Sequence, residues 1–327
     1  MSLRNVRVLV TGGAGFIGSH LVDALMKSDA YVTVLDNLSS GFKANIERWE
    51  KFQSFRFVQG DCLQPRDVAE AIGRNELVFH LAANAEVRRG SEDTRVDLEQ
   101  NLLATYTLLE AMRRSGGCKR IAFTSTSTVY GEATRLPTPE DYGPLLPTSL
   151  YGASKLACEA LISAYVRMFG LNAIIYRLAN VVGARSRRGV IWDFTRKLHQ
   201  NPERLEILGD GRQAKSYLLV DDCIEAMLLA LREAKEPLEV YNVGSEDQVS
   251  VNAIAHTVAT LMGAGDVTFE YVSVAEGGRG WVGDVKMMLL DVSKLKRLGW
   301  SPRHNSLESV RIAAKQALLE LERGTQP

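Results

Sequence analysis

The chain has 327 residues with 39 basic and 39 acidic side chains, so its formal net charge is zero. With 46% hydrophobic residues it has the composition of a globular protein with a sizeable core, and it lacks the basic excess of a nucleic-acid or membrane-surface binder. No apolar run approaches the ~18 residues that span a bilayer, and the chain start lacks a signal-peptide core. The separated cysteines form neither a disulfide nor a metal pattern, so we expect a cytoplasmic protein without a metal site.

Short apolar strands alternate with helical patterns through the first half of the chain. The predicted strands are Val6–Val10, Tyr31–Leu35, Phe55–Val58, Leu77–Leu81, Arg120–Thr124 and Ala173–Tyr176, and the predicted helices are Gly15–Lys27, Asp93–Ser115 and Ser149–Phe169. Continuous apolar strands are typical of a parallel sheet covered by helices on both faces. Repeated β-α-β units then predict an α/β fold with a doubly wound parallel (Rossmann) sheet.

The pattern loosens in the second half, where loops separate shorter elements. Helices are predicted near Ile191–Gln200, Asp221–Ala234, Val251–Met262 and Leu307–Arg323, and a strand at Leu238–Val243 could return to the main sheet. We therefore expect a Rossmann domain over residues 1–180 and a smaller α+β substrate lobe over residues 181–327, interleaved with it.

A glycine-rich turn joins the first predicted strand to the first predicted helix. Gly12, Gly15 and Gly18 have the spacing of a dinucleotide-binding turn, in which backbone N–H groups and the helix dipole hold a pyrophosphate. Asp36 stands at the tip of the second strand, where a carboxylate binds the adenine ribose 2′-hydroxyl and repels a 2′-phosphate. Since Asn37, Leu38 and Ser39 follow without an arginine, the sequence favours NAD over NADP as the cofactor.

The strongest chemical signal is Tyr151-Gly152-Ala153-Ser154-Lys155. On a helix, Tyr151 and Lys155 share one face, and a nearby ammonium would lower the pKa of the phenol towards that of a general base. Thr126 follows the fifth predicted strand, at the sheet edge where doubly wound folds bind ligands. Each signal alone also fits a surface helix or a solvated loop. Together, after a dinucleotide turn, they predict a catalytic site.

With these motifs, the sequence resembles the extended short-chain dehydrogenases. Within them it is most similar to the NAD-dependent sugar-nucleotide epimerases and dehydratases, especially the UDP-glucose (UDP-galactose) 4-epimerase group. The similarity extends to Gly209-Asp210-Gly211, Val220-Asp221-Asp222 and Leu298-Gly299-Trp300. It implies a homodimer formed by the two long helices, with no nucleic-acid or membrane partner.

The resemblance also implies roles for individual residues. Tyr151 is the expected acid/base, Lys155 tunes its pKa and binds ribose, and Thr126 bonds the sugar 4-oxygen. The expected cofactor residues are Gly12, Gly15, Phe16, Ile17, Gly18, Asp36, Asn37, Ser39, Asp61, Cys62, Leu81, Ala82, Ala83, Asn101, Tyr151 and Lys155. The expected substrate residues, for a UDP-sugar, are Thr126, Asn180, Lys215, Arg279 and Asp284. Lys215 stands where relatives usually have arginine, which removes the bidentate fork.

The family resemblance leaves the reaction to be chosen. Related dehydratases carry Asp-Glu after the catalytic threonine, and related decarboxylases carry a Glu there, but this chain has Ser127-Thr128. Without a second acid/base pair, the simplest expected outcome is C4 epimerisation through a transient 4-keto sugar. Two alternatives stay open: a 4-epimerase of an N-acetylated or uronic-acid sugar, on which Met288 decides little, and a non-catalytic NAD-sensing protein. The presence of both Tyr151 and Lys155 favours an enzyme.

Overall fold

The computed structural model of the chain describes residues 3–84 and 86–322. Its strands are β1 (Arg7–Thr11), β2 (Tyr31–Asp36), β3 (Phe55–Gln59), β4 (Leu77–His80), β5 (Arg120–Thr126), β6 (Asn172–Leu178), β7 (Asn180–Val182), β8 (Arg204–Leu208), β9 (Ala214–Lys215), β10 (Tyr217–Leu219), β11 (Leu238–Val243), β12 (Val249–Ser250), β13 (Thr268–Val272) and β14 (Met287–Met288). Its helices are α1 (Phe16–Lys27), α2 (Pro65–Ile72), α3 (Arg89–Glu92), α4 (Arg95–Asp97), α5 (Ala104–Ser115), α6 (Leu150–Phe169), α7 (Val190–Gln200), α8 (Val220–Glu233), α9 (Val251–Leu261), α10 (Ser293–Lys296) and α11 (Ser306–Glu322).

Seven strands form the main sheet, in the order β11-β6-β5-β4-β1-β2-β3. The pairs β5–β4, β4–β1, β1–β2 and β2–β3 are parallel. Strands β6 and β11 also run in the same direction, because Ala173 N bonds Pro237 O and, further along both strands, Ala179 N bonds Val243 O. The strand order reverses between β1 and β4, which is the switch point where doubly wound folds bind ligands. The predicted Rossmann fold is confirmed, and Leu238–Val243 does return to the main sheet.

The chain divides into two compact units, each with its own core. Unit 1 comprises Met1–Val129, Ser149–Arg177 and Ile224–Tyr241; unit 2 comprises Tyr130–Thr148, Leu178–Cys223 and Asn242–Pro327. In unit 1, side chains such as Leu9, Val78 and Phe123 from the sheet pack with Leu108 of α5 and Ile162 of α6.

Unit 2 is built around helices α7, α9 and α11 and three small sheets. Phe194, Ile254 and Val310 pack in its core beside Leu205 of β8. The small sheets pair β7 with β10, β8 with β13, and β9 with β12 and β14. The predicted helix end Arg323 lies outside the described residues.

Several short elements are not among the sequence predictions, and two differences concern the helices of unit 1. Helix α2 was not predicted, although Pro65 at its first turn is a common helix start. The predicted helix Asp93–Ser115 is helical from Arg95, but residues Leu98–Leu103 form a π-helical segment between α4 and α5. Single π turns inside α-helices frequently occur at functional sites. Here the segment carries Asn101, one of the predicted cofactor residues.

Two properties of the described part of the chain bear on its partner classes. None of the helices in residues 3–84 and 86–322 combines the length and the apolar composition needed to cross a membrane. The same residues contain no group of three or more His, Cys, Asp or Glu side chains arranged to hold a metal ion.

Candidate active site

The glycine turn lies between β1 and α1, at the edge where the strand order reverses. Gly12 has a φ of +70°, and a Cβ there would lie only 2.8 Å from the backbone nitrogen of Ala82. Gly15 is the N-cap of α1 and offers no side chain to the first-turn N–H groups. The backbone N–H groups of this first turn, which belong to Phe16, Ile17 and Gly18, form a cradle for an anion at the positive end of the helix dipole. The turn therefore fits the pyrophosphate of a dinucleotide.

Asp36 ends β2 beside this turn. Its carboxylate accepts hydrogen bonds from Ala14 N through Oδ2 and from Leu38 N through Oδ1, both at 2.9 Å. Burial raises the pKa of Asp36, and the two backbone N–H donors oppose that shift. Each carboxylate oxygen can still accept a further hydrogen bond. Asp36 therefore holds the turn in shape and keeps acceptor capacity for a ribose hydroxyl.

Other predicted cofactor residues form a polar loop cluster at the ends of β2 and β3. Asn37 Nδ2 donates to Asp61 Oδ2 at 3.1 Å, and the backbone N–H of Ser39 donates to Asn37 Oδ1 at 3.0 Å. Cys62 is buried in the unit 1 core, and burial raises the pKa of its thiol to about 12. The Cys62 thiol is therefore a packing group, while Asn37, Ser39 and Asp61 present polar atoms.

A buried chain of hydrogen bonds connects the glycine turn to the π segment. The Thr11 hydroxyl donates to His80 Nδ1 at 2.7 Å, His80 Nε2 donates to Thr105 Oγ1 at 3.0 Å, and Thr105 donates to the Asn101 carbonyl at 2.7 Å. This assignment places the His80 proton on Nε2, because the Thr105 hydroxyl proton already goes to Asn101. Burial, with a smaller effect from the Lys155 charge, lowers the pKa of His80 to about 3. The imidazole is therefore a neutral connector.

The loop after β4 is fixed by the same elements. Leu81 N donates to the Thr11 carbonyl and Ala82 N to the Thr11 hydroxyl, each at 3.2 Å, and Ala83 follows in the loop. Asn101 Oδ1 accepts from Asn84 N at 2.8 Å, and its Nδ2 donates to Ser154 Oγ on α6 at 2.9 Å. Asn101 is buried, so its side chain positions the loop and α6 relative to each other.

Tyr151 and Lys155 lie on α6. The helix begins after Ser149, whose hydroxyl caps it by accepting from Gly152 N at 3.1 Å, and it ends at Gly170 in the left-handed conformation. Lys155 is buried; its ammonium donates to the Thr124 carbonyl at 3.0 Å and lies 5.9 Å from the centre of the Tyr151 ring. The structure therefore brings Lys155 to both the phenol ring and the end of β5.

The pKa of Tyr151 does not follow the sequence prediction. Burial is the largest influence and raises the pKa of the phenol above its ordinary value, and the negative charge of Asp97 raises it further. Burial also lowers the pKa of Lys155 to about 8. The chain alone therefore keeps the phenol protonated. The position of Tyr151 in the first turn of α6, at the positive end of the helix dipole, favours the phenolate.

Thr126 is the last residue of β5, and its hydroxyl pairs with that of Thr128 at 3.1 Å. Both hydroxyls lie in unit 1 at the carboxyl end of the strand whose Thr124 carbonyl binds Lys155. Each of these hydroxyls can donate and accept hydrogen bonds, but neither carries a charge.

In unit 2, three of the four predicted substrate residues that lie there are joined at Asp284, one through its carboxylate and one through its backbone carbonyl. Lys215 Nζ lies 2.5 Å from Asp284 Oδ1, and Arg279 Nε donates to the Asp284 carbonyl at 3.2 Å. The Arg279 guanidinium also pairs with Glu132 Oε1 at 2.9 Å. The side chain of Asn180 is hydrogen-bonded to Tyr217 on the neighbouring strand β10, and its backbone N–H donates at 3.2 Å to the carbonyl of Ser216, the residue after Lys215.

Sequence reasoning missed several residues of this region. It gave His80 no part, and it did not single out Glu132, Ser125 or Glu159. Glu159 lies four residues after Lys155 on the same helix face, so the sequence spacing could have identified it. The pairing of Arg279 with Glu132 could not be predicted, because the two residues lie 147 positions apart in sequence. Long-range pairs of this kind leave no local pattern.

The sequence is similar to a known enzyme family and to its curated members. Residues 8–244 match the family model "NAD dependent epimerase/dehydratase family". A relative from Methanocaldococcus jannaschii, described as a putative UDP-glucose 4-epimerase, is 35% identical over 310 residues, which cover 93% of this chain and 96% of that protein.

Two solved structures are similar along nearly the whole chain. A crystal structure of a UDP-galactose 4-epimerase is 41% identical with a TM-score of 0.84, covering 98% of this chain and 100% of that one. The Thermus thermophilus UDP-glucose 4-epimerase, solved in complex with NAD, is 33% identical with a TM-score of 0.85, covering 98% of this chain and 100% of that one.

Proposed function

The chain belongs to the NAD-dependent epimerase/dehydratase family, and from this premise we propose that it interconverts UDP-galactose and UDP-glucose by epimerisation at C4. The observation that carries the proposal is the placement of Tyr151 and Lys155 on one face of α6, with Lys155 bound to the end of the strand that carries Thr126. The similarity to UDP-glucose and UDP-galactose 4-epimerases supports the same reaction.

Proton transfer at the sugar 4-oxygen is the task of Tyr151. The phenol oxygen takes the 4-hydroxyl proton as C4 is oxidised to a ketone, and it returns that proton when the ketone is reduced from the opposite face. The Thr126 hydroxyl holds the same oxygen through both half-reactions. The Lys155 ammonium stabilises the phenolate by charge, at a site where burial strengthens the interaction.

The residues around the glycine turn would hold NAD. The first-turn N–H groups of α1 would bind its pyrophosphate, and Asp36 would accept from the adenine ribose. When bound, NAD supplies the acceptor and donor of the C4 hydrogen, and its oxidised ring adds positive charge. Positive charge is what the Tyr151 site needs, because burial and Asp97 both raise the pKa of the phenol.

The residues after Thr126 favour epimerisation over elimination. Ser127 and Thr128 begin a single 3₁₀ turn, and their hydroxyls are neutral groups. Elimination from the 4-keto sugar requires a base that takes the C5 proton and an acid that protonates the leaving group, and neutral hydroxyls do not provide them. With Tyr151 as the proton carrier, rotation of the keto sugar followed by reduction gives the C4 epimer.

The charged cluster of unit 2 is proposed to bind the substrate diphosphate. Lys215 and Arg279 provide two cations, and Asp284 holds them together. Arginine and lysine are the usual partners of phosphate oxygens, arginine through a fork and lysine as a point charge. Asn180 would add an amide donor for the diphosphate or the sugar.

A homodimer is part of the proposal. On the π segment and α5, Leu98, Leu103 and Tyr106 are exposed by 43–48%. The five-residue spacing of Leu98 and Leu103 suits the i→i+5 repeat of a π turn, so both point to one side of the helix. Exposed apolar side chains on one face are typical of an interface.

A location in the cytoplasm is also part of the proposal. The cysteines are free thiols, which fits the reducing cytoplasm.

Incubation with a panel of UDP-sugars, with no NAD added, tests this function. The panel contains UDP-galactose, UDP-glucose, the two N-acetylhexosamine derivatives and UDP-glucuronate, and the products are separated by chromatography. We expect rapid interconversion of UDP-galactose and UDP-glucose by cofactor carried with the protein. Turnover of only an N-acetylated or uronic-acid sugar would reassign the substrate, and no turnover with added NAD would contradict the proposed function.

A further inference from the structure

The proposed reaction leaves unused a buried carboxylate in the middle of the catalytic helix. Glu159 is only 6% exposed, four residues after Lys155 and eight after Tyr151, so the three side chains occupy one face of α6. Burying a carboxylate in a protein core is costly unless the group is paired and hydrogen-bonded. The partners of Glu159 therefore indicate what it does.

Glu159 touches two strands of the main sheet. Arg177 of β6 donates to it through a fork, from Nη2 to Oε2 at 2.7 Å and from Nε to Oε1 at 3.1 Å. The Ser125 hydroxyl of β5 donates to Oε1 at 2.5 Å. Ser125 directly precedes Thr126. One carboxylate thus joins the catalytic helix to the strand end that carries the second proposed catalytic hydroxyl.

A second connection lies one helical turn earlier. The Lys155 ammonium donates to the carbonyl of Thr124, the neighbour of Ser125. Two adjacent residues of β5 are therefore bound by two residues of α6 that are four apart. Within a helix already packed in the core, these two bonds on consecutive strand residues tie the rotation and axial position of α6 to the end of β5.

We propose that Glu159 is a positioning residue, which through Ser125 and Arg177 sets the register of Tyr151 against Thr126. The inference rests on the proposed function, since it concerns the same two hydroxyls. A buried ion pair contributes little net stability compared with apolar residues of the same size. We therefore attribute the Glu159–Arg177 pair to orientation of the helix and not to stability. A displacement of about 1 Å between reacting groups can cost ~100-fold in rate, so loss of this register lowers turnover without changing how the substrate binds.

The test compares two variants, each of which loses one hydroxyl that bonds a glutamate across a contact of α6. Ser125→Ala removes the donor to Glu159, and Tyr165→Phe removes a matched donor, the α6 hydroxyl that binds Glu110 at 2.7 Å. Rates and KM are measured with UDP-galactose, together with the thermal midpoint of each variant. We expect Ser125→Ala to lower kcat ~10-fold or more with KM within about 2-fold. We expect Tyr165→Phe to keep kcat within about 2-fold, and Ser125→Thr, which keeps the hydroxyl, to restore most of the rate.

Glu159→Gln is a stronger version of the same test. It keeps the shape but leaves the Arg177 charge without its carboxylate, so it can fail to fold; Ser125→Ala, which spares the ion pair, then decides. An unchanged kcat in Ser125→Ala, a rise in KM in place of a fall in kcat, or equal losses in Ser125→Ala and Tyr165→Phe would overturn the positioning role. An inactive wild-type protein would instead contradict the proposed function, so the two failures are distinguishable.

Discussion

The two units hold their functional side chains in different physical states. In unit 1, Thr11, His80, Thr105 and Asn101 are all buried, and the three hydrogen bonds that link them to one another join neutral groups. In unit 2, Arg279 and Glu132 form an ion pair with about a third of each side chain exposed. Buried networks fix geometry, whereas half-exposed ion pairs are weak and can exchange partners. We infer that the buried network of unit 1 is suited to holding groups at fixed positions, and that the exposed ion pair of unit 2 is suited to exchanging its partner for a ligand.

Removal of the Tyr151 phenol from unit 1 should cause the largest loss of activity. Tyr151→Phe should lower the interconversion of UDP-galactose and UDP-glucose by ~1,000-fold or more, because a positioned acid/base contributes up to about 10⁴-fold. The packing of the ring is kept, so NAD should stay bound. Steady-state rates and the bound NAD content check both statements. Tyr31→Phe, at the start of β2 where the residue is 39% exposed, is the matched control and should retain full activity. Substantial turnover by Tyr151→Phe would remove Tyr151 from its assigned role.

On the charged side, Arg279→Ala should affect binding and not chemistry. A charge-assisted hydrogen bond contributes about 1.5–3 kcal/mol, so the dissociation constant for UDP should rise by ~10–100-fold while kcat at saturation changes only a few-fold. Calorimetric titration with UDP measures this effect. Lys296→Ala, which removes a different ion-paired cation of unit 2, should leave UDP affinity unchanged. A large fall in kcat with normal UDP affinity would contradict the division of tasks.

The neutral state of His80 sharpens the comparison through pH. The pKa of His80 in the folded chain is about 3, below its ordinary value of 6.5, so below pH 6.5 the unfolded chain takes up a proton that the folded chain cannot. Stability should therefore fall on acidification by about 1.4 kcal/mol per pH unit from this group alone. Chemical denaturation of the wild type and His80→Gln at pH 7, 6 and 5 isolates it. The variant should show a shallower loss; parallel losses would mean that His80 is not held neutral.

The smallest effect is expected from the carboxylate that occupies Arg279. Because Glu132 competes with a phosphate for the same guanidinium, Glu132→Gln should tighten UDP binding by about 2–5-fold, the range of a partly exposed ion pair. The effect should shrink at high salt. Glu246→Gln, which breaks the exposed pair with Lys296, is the control. Weaker binding in Glu132→Gln would show that Glu132 orients Arg279 and does not compete for it.

The parts of this account that the sequence predicted are those written in local spacing. The glycine turn, Asp36 after β2, and the four-residue spacing of Tyr151 and Lys155 each depend on neighbours within about 25 residues. Strand and helix order followed from hydrophobic period, and the main sheet could be predicted from it. The π segment was not predicted, because its register depends on how Asn101 packs against Asn84 and Ser154.

The electrostatic details also needed the fold. Spacing showed that Lys155 lies near Tyr151, but not that burial and Asp97 raise the pKa of the phenol. Lys215 and Asp284 lie 69 residues apart, and only the pairing of β9 with β14 shows why they meet. Long-range pairs and burial are therefore the two kinds of information that the sequence withheld.

In the proposed reaction, one C4 hydrogen leaves and returns within a single turnover while Tyr151 carries the proton of the 4-oxygen. Conversion of UDP-galactose labelled with deuterium at C4, followed by NMR in ordinary water, tests it directly. We expect UDP-glucose that retains its deuterium at C4. Exchange of the label with solvent, or a product that has lost its 6-hydroxyl, would contradict it.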